Sequence, residues 1–128
     1  MGFIKFIMKH GIGSPGSICK AMAQTYREIR QLGTYDNEKD VLRQLFLSRA
    51  ATDSMVGPPK YNTDPYHVEK VIAQCPDFYS LTKYIIIAEH PELLGPSAPP
   101  NALRILDEVM SEVIQKQIPG LHRGLKLK

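Results

Sequence analysis

Between Leu103 and Gln117 the apolar residues Leu103, Leu106, Val109, Met110, Val113 and Ile114 recur at spacings of three and four. That period lays one apolar stripe along an α-helix and gives a β-strand no continuous face. The same spacing returns in Ile18, Met22, Tyr26, Ile29 and Leu32, in Val41, Leu42, Leu45 and Phe46, and in Val68, Val71, Ile72 and Cys75. Stripes of this kind have to be buried against one another. The expected fold class is therefore all-α: a single-domain bundle of about five helices plus a short N-terminal helical segment, with two Pro/Gly-rich irregular connections. With 128 residues the chain has the length of one domain.

Punctuation residues place the boundaries. Gly33 closes the helix that runs to Leu32, and Asn37 caps one from Glu38 to about Ala51. Asp64-Pro65 opens a helix with an acid at the cap and proline in the first turn, and Pro76 breaks it. Asp77 caps the next, which carries Phe78, Leu81, Tyr84, Ile85 and Ala88 inward and ends before Pro91. Within it, Tyr84 to Ile87 has strong β propensity, yet the chain offers no second strand to pair with it, so the helix is preferred. Thr52 to Thr63, centred on Gly57-Pro58-Pro59, and Pro91 to Pro100 are the irregular connections. Asn101 caps the last helix and Pro119-Gly120 stops it, which separates a helical domain over 1–118 from a basic, mobile tail over 119–128.

The net charge of +3 is too mild to imply nucleic acid. Its distribution is uneven: residues 1–35 hold five cations against Glu28 alone, 65–118 hold four cations against seven acids, and Arg123, Lys126 and Lys128 follow. Basic ends can meet an anionic partner, or they can lie on the acidic part of the same fold. No apolar run reaches the length of a transmembrane helix. Cys19 and Cys75 fall on apolar helical faces and form no metal-spaced pair, and without a secretory signal a cytoplasmic location is expected. In the first ten residues Lys5 and Lys9 share one helical face opposite Phe3, Ile7 and Met8, a pattern that fits a short helix packed on the domain or one lying on a surface.

Gly11-Ile12-Gly13-Ser14-Pro15-Gly16 matches G-x-G-x-x-G, the dinucleotide fingerprint. The fingerprint needs a strand before the turn and a second parallel strand after the helix, and neither is present. A more modest use remains. Gly11, Gly13, Ser14, Gly16 and Ser17 open a helix whose N-terminal amides, with Lys20 beside them, suit an anion such as phosphate, a nucleotide or nucleic acid. In the plain structural alternative Ser14 or Ser17 caps the helix and the glycines allow a tight turn.

No catalytic constellation emerges. Cys19 in a first helical turn with His10 nearby is a coincidence of spacing, the histidines are scattered, no metal motif occurs, and no cofactor is expected. Met55, Tyr61 and Tyr66 collect apolar and aromatic surface around the first irregular connection, a surface suited to protein contacts. The sequence-level expectation is a small non-enzymatic protein-interaction or accessory module with a protein partner or a second copy, through that region or the apolar N-terminal segment. Anion binding at 11–17 is the alternative, and nucleic acid is not favoured because the helix after Gly33 mixes both charges.

Overall fold

A computed structural model describes residues 2–54 and 61–121, with Asp53 and Ser54 described in backbone only. Six α-helices form the bundle: α1 (Gly2–His10), α2 (Pro15–Gln31), α3 (Glu38–Ser54), α4 (Pro65–Gln74), α5 (Phe78–Glu89) and α6 (Ala102–Gln117). A short 3-10 turn, Pro91–Leu94, precedes α6, and there is no strand among the described residues. The all-α class read from apolar spacing is therefore the observed one.

Local chemistry starts most of these helices. The Ser14 hydroxyl accepts from the Ser17 amide at 3.1 Å, with Pro15 in the first turn of α2. Asn37 accepts from the Lys39 amide at 2.7 Å, and Asp64 from the Tyr66 amide at 3.1 Å. Asp77 and Ser80 form a reciprocal capping box at the head of α5. Beyond α2, Gly33 takes a φ of +68°, the left-handed conformation in which an exit turn favours glycine.

Two boundaries differ from expectation. Helix α3 continues past Ala51 to Ser54, as the Thr52 hydroxyl bonds back to the Ser48 carbonyl at 3.0 Å. Asn101 makes no side-chain cap, and α6 begins instead on a turn bond from the Ala102 amide to the Pro99 carbonyl. Past Gln117, Ile118 and Leu121 still pack against the core.

Helix α2 pairs most extensively with α6 and also meets α1, α3 and α5, so it runs through the middle of the bundle. Phe46, Phe78, Met22, Leu42, Leu45, Leu81, Ile85, Ile86, Leu106, Met110 and Ile114 fill the space between the helices. Phe78, Leu81, Thr82, Ile85 and Ile86 are all buried, a helical set at three and four spacing that resolves Tyr84 to Ile87 as helix. Ala88 is exposed rather than inward, and Leu32 and Leu103 lie at the edges of their stripes with substantial exposure. Both cysteines are buried and free.

Candidate functional site

Helix α1 sits on the body in an unexpected orientation. Lys5 Nζ lies 3.6 Å from Glu108 and Lys9 Nζ 2.8 Å from Glu112. Two lysines four apart on α1 thus meet two glutamates four apart on α6. The helices therefore run side by side in the same direction, joined by a two-rung ladder. Met8 is the one buried residue of α1. The lysine face is turned inward, and the apolar side faces solvent: Phe3 is 76% exposed, Phe6 59% and Ile7 46%. Ile12, in the turn that follows, is fully exposed. Glu108 and Glu112 on α6 are the anchors for this helix.

The glycine-rich turn explains why α1 lies so close. A Cβ on Gly16 would stand 2.6 Å from the Lys9 carbonyl oxygen, 2.7 Å from Lys9 Cα and 2.9 Å from the Met8 carbonyl oxygen. Only glycine lets the first turn of α2 touch the backbone of α1 there. Gly13 has a φ of +70°, and the Gly11 amide bonds to the Ile7 carbonyl at 3.1 Å to close α1. From the far side, His90 Nε2 meets the Gly13 carbonyl oxygen at 2.7 Å while its Nδ1 meets Glu92 at 2.7 Å. That contact pins the turn to the end of α5. The His90 ring thus bonds across the fold to Gly13, while its backbone amide closes α5 on the Ile86 carbonyl at 2.8 Å. Its hydrogen bond to Glu92 holds that carboxyl below its ordinary range.

Of the proposed anion ligands, Ser14 is buried and its hydroxyl is engaged by Ser17, while Gly11, Gly13 and Gly16 have the structural roles just given. Ser17 and Lys20 are exposed, and they share a cleft of about 330 Å³ with Lys9, His10, Gly16, Val113, Lys116 and Gln117. The fold thus gathers three lysines and a histidine from α1, α2 and α6 at one mouth. Lys9, joined to Glu112 and flanked by Lys116, holds the Glu112 carboxyl below its usual range.

The tyrosine region divides. Tyr61 is buried, packing edge-on against Phe46 at 5.7 Å between ring centroids, and its hydroxyl meets Glu89 at 2.8 Å. It is a core residue and offers no contact surface. Tyr66 is 73% exposed, with Lys70 over its ring. Met55 lies outside the described residues.

The remaining polar clusters tie helices together. Tyr26 and Arg30 bind Glu38 between α2 and α3, Tyr79 and Lys83 bind Asp107 between α5 and α6, and Arg49 grips Glu89 with two bonds of 2.7 Å between α3 and α5. Burial and carboxylate partners push the Tyr26 and Tyr79 phenols up, which keeps both protonated as donors. Cys19 is buried with its thiol pushed up to about 12 by desolvation, the reverse of an activated nucleophile. The His10 ring packs against Phe6, with centroids 4.7 Å apart and planes tilted by 43°. No group of three or more His, Cys, Asp and Glu that could hold a metal ion exists among the described residues.

No protein family matches the chain, nor does any curated protein or solved structure.

Sequence reasoning set Phe3 and Ile7 opposite the lysines but left open which side meets the body, and it did not place Phe6 with them. The signal was there in the equal spacing of Lys5 and Lys9 with Glu108 and Glu112, which permits α1 to dock by its charged side.

Proposed function

We propose that this protein is a non-enzymatic docking module whose contact surface is the outer face of α1. The observation that carries the reading is the orientation of that helix: its lysines hold it to α6, and Phe3, Phe6 and Ile7 face outward. With Ile12 they amount to roughly 500 Å² of exposed apolar surface, at the upper end of what monomeric proteins show and typical of functional patches. Tyr66 alone, set among polar loop residues, offers less.

Placing a photoreactive phenylalanine analogue at Phe6, and in a separate variant at Tyr66, tests the reading in the producing cells. Adducts concentrated at position 6 are expected. Equal or absent labelling at both positions overturns it.

A second reading, binding of a phosphate-bearing ligand, is favoured by the convergence of Lys9, His10, Lys20 and Lys116 on one cleft. The Gly11–Gly16 turn itself lends it little support, because its serine and glycines are engaged in the fold.

A further inference from the structure

We infer that the partner of the α1 outer face is an anionic lipid surface. The inference rests on the docking reading above and assigns its partner by size and charge. A stable contact between two protein copies takes about 800 Å² from each partner. The α1 stripe together with Ile12 provides roughly 500 Å², so a second copy would have to draw on the rim. That rim carries an excess of positive charge. At one end of the stripe, Phe3 and Ile4 share a cleft with Lys5, Arg104 and Glu108. At the other end, His10 packs against Phe6 and opens into the cleft holding Lys9, Lys20 and Lys116. Three of these cations are paired, Lys5 and Arg104 with Glu108 and Lys9 with Glu112, and Glu92 lies beside the Gly13 turn through His90, so the cations left to meet a partner are Lys20 and Lys116. Lys20 and Lys116 are exposed and make no ion pair among the described residues.

Face-to-face pairing of two such rims sets like charges against each other. A bilayer carrying acidic headgroups meets both requirements at once. Phenylalanine and isoleucine side chains enter the boundary between headgroup and acyl chain, and the flanking lysines meet phosphate and carboxylate. The depth needed is only that of the exposed side chains, so the bundle stays intact above the surface.

The test is flotation of the whole protein with phosphatidylserine-rich vesicles and with pure phosphatidylcholine vesicles, at low and high salt. Binding to the acidic vesicles, weakened by salt, is the expected result. Replacing Phe3, Phe6 and Ile7 together with serine should weaken it by about a hundredfold or more, while circular dichroism stays helical, because each side chain contributes through its buried area. Lys20→Gln and Lys116→Gln, which leave the stripe and the ladder untouched, should each weaken it by about fivefold.

Phosphoserine and inorganic phosphate, added alone, distinguish a soluble anion site. Tight binding of either one that survives the triple serine change overturns the lipid assignment in favour of a phosphate pocket. No binding to acidic vesicles overturns it too. If position 6 nevertheless cross-links to protein, docking through α1 stands with a protein partner. Dimerisation abolished by the serine changes assigns the face to a second copy instead.

Discussion

Replacing Gly16 with alanine probes the close approach of α2 to the backbone of α1. The new methyl group would stand 2.6 to 2.9 Å from two carbonyl oxygens and a Cα of α1, and none of these is a movable side-chain end. Either α1 shifts as a unit or it leaves α6. Over-packing of a well-filled contact costs about 1–3 kcal/mol. Alanine returns less than about 1 kcal/mol in helix propensity, and least in a first turn. The loss has a ceiling set by what α1 contributes: burial of Met8, about 2–3 kcal/mol, and two partly exposed ion pairs at about 0.5 kcal/mol each. The over-packing cost lies within that ceiling, so a destabilisation of about 1–3 kcal/mol is expected, a fall in Tm of roughly 3–10 °C for a domain of this length. Hydrogen exchange read by mass spectrometry localises the effect. Amides of α1 should exchange roughly ten to a hundred times faster while those of α3 and α5 change only with global stability. Wild-type Tm together with unchanged α1 protection would refute the reasoning, because it would mean that α1 does not touch α2 at Gly16.

Three further outcomes follow from contacts elsewhere. Glu112 has a lowered folded-state pKa because Lys9 hydrogen-bonds its carboxylate, so the rung is complete above the ordinary value of 4.5 and is lost as pH falls through the folded value. Exchange in α1, corrected for intrinsic rates, should be flat from neutral pH to about 4.5 and then rise, and Glu112→Gln should remove that step. Thr82 is fully buried, and its hydroxyl has no hydrogen-bond partner among the described residues. Thr82→Val should therefore be neutral or stabilising by up to about 1 kcal/mol in urea unfolding, whereas a loss above that would reveal a partner for the hydroxyl. Glu89→Gln removes the charge that Arg49 holds through two bonds and Tyr61 through a third. A loss of about 1–3 kcal/mol is expected in the same assay, and one below about 0.5 kcal/mol would show the cluster to be solvated.

Where a boundary depends on neighbours in sequence, the chain is readable at every helix start but that of α6, where Asn101 makes no cap. Ser14, Asn37, Asp64 and Asp77 each cap the helix expected of them, since a cap needs only an acceptor two or three residues ahead of an amide. Tyr84 to Ile87 was ambiguous because β-branched residues suit a strand by themselves. The tertiary surroundings decided it by burying Ile85 and Ile86 together on a helix. The glycine turn was legible as a turn, but the reason for Gly16 lies in α1, whose distance is a property of the assembled fold. The orientation of α1 was the hardest feature to read. An amphipathic period says that two faces differ without saying which one meets the body, and here carboxylates about a hundred residues away selected the charged one.

Helix α1 has nine residues, fewer than the roughly 12–15 at which an isolated helix becomes even marginal in water. Alone it would be coil, and Phe3, Phe6 and Ile7 would share no side. The bundle acts as a splint that lends the segment its shape. Whatever grips the splinted side must in turn tighten the rungs behind it, since the two equilibria are linked through one helix. Occupancy of the outer face is thus reported by Glu108 and Glu112, which face the other way.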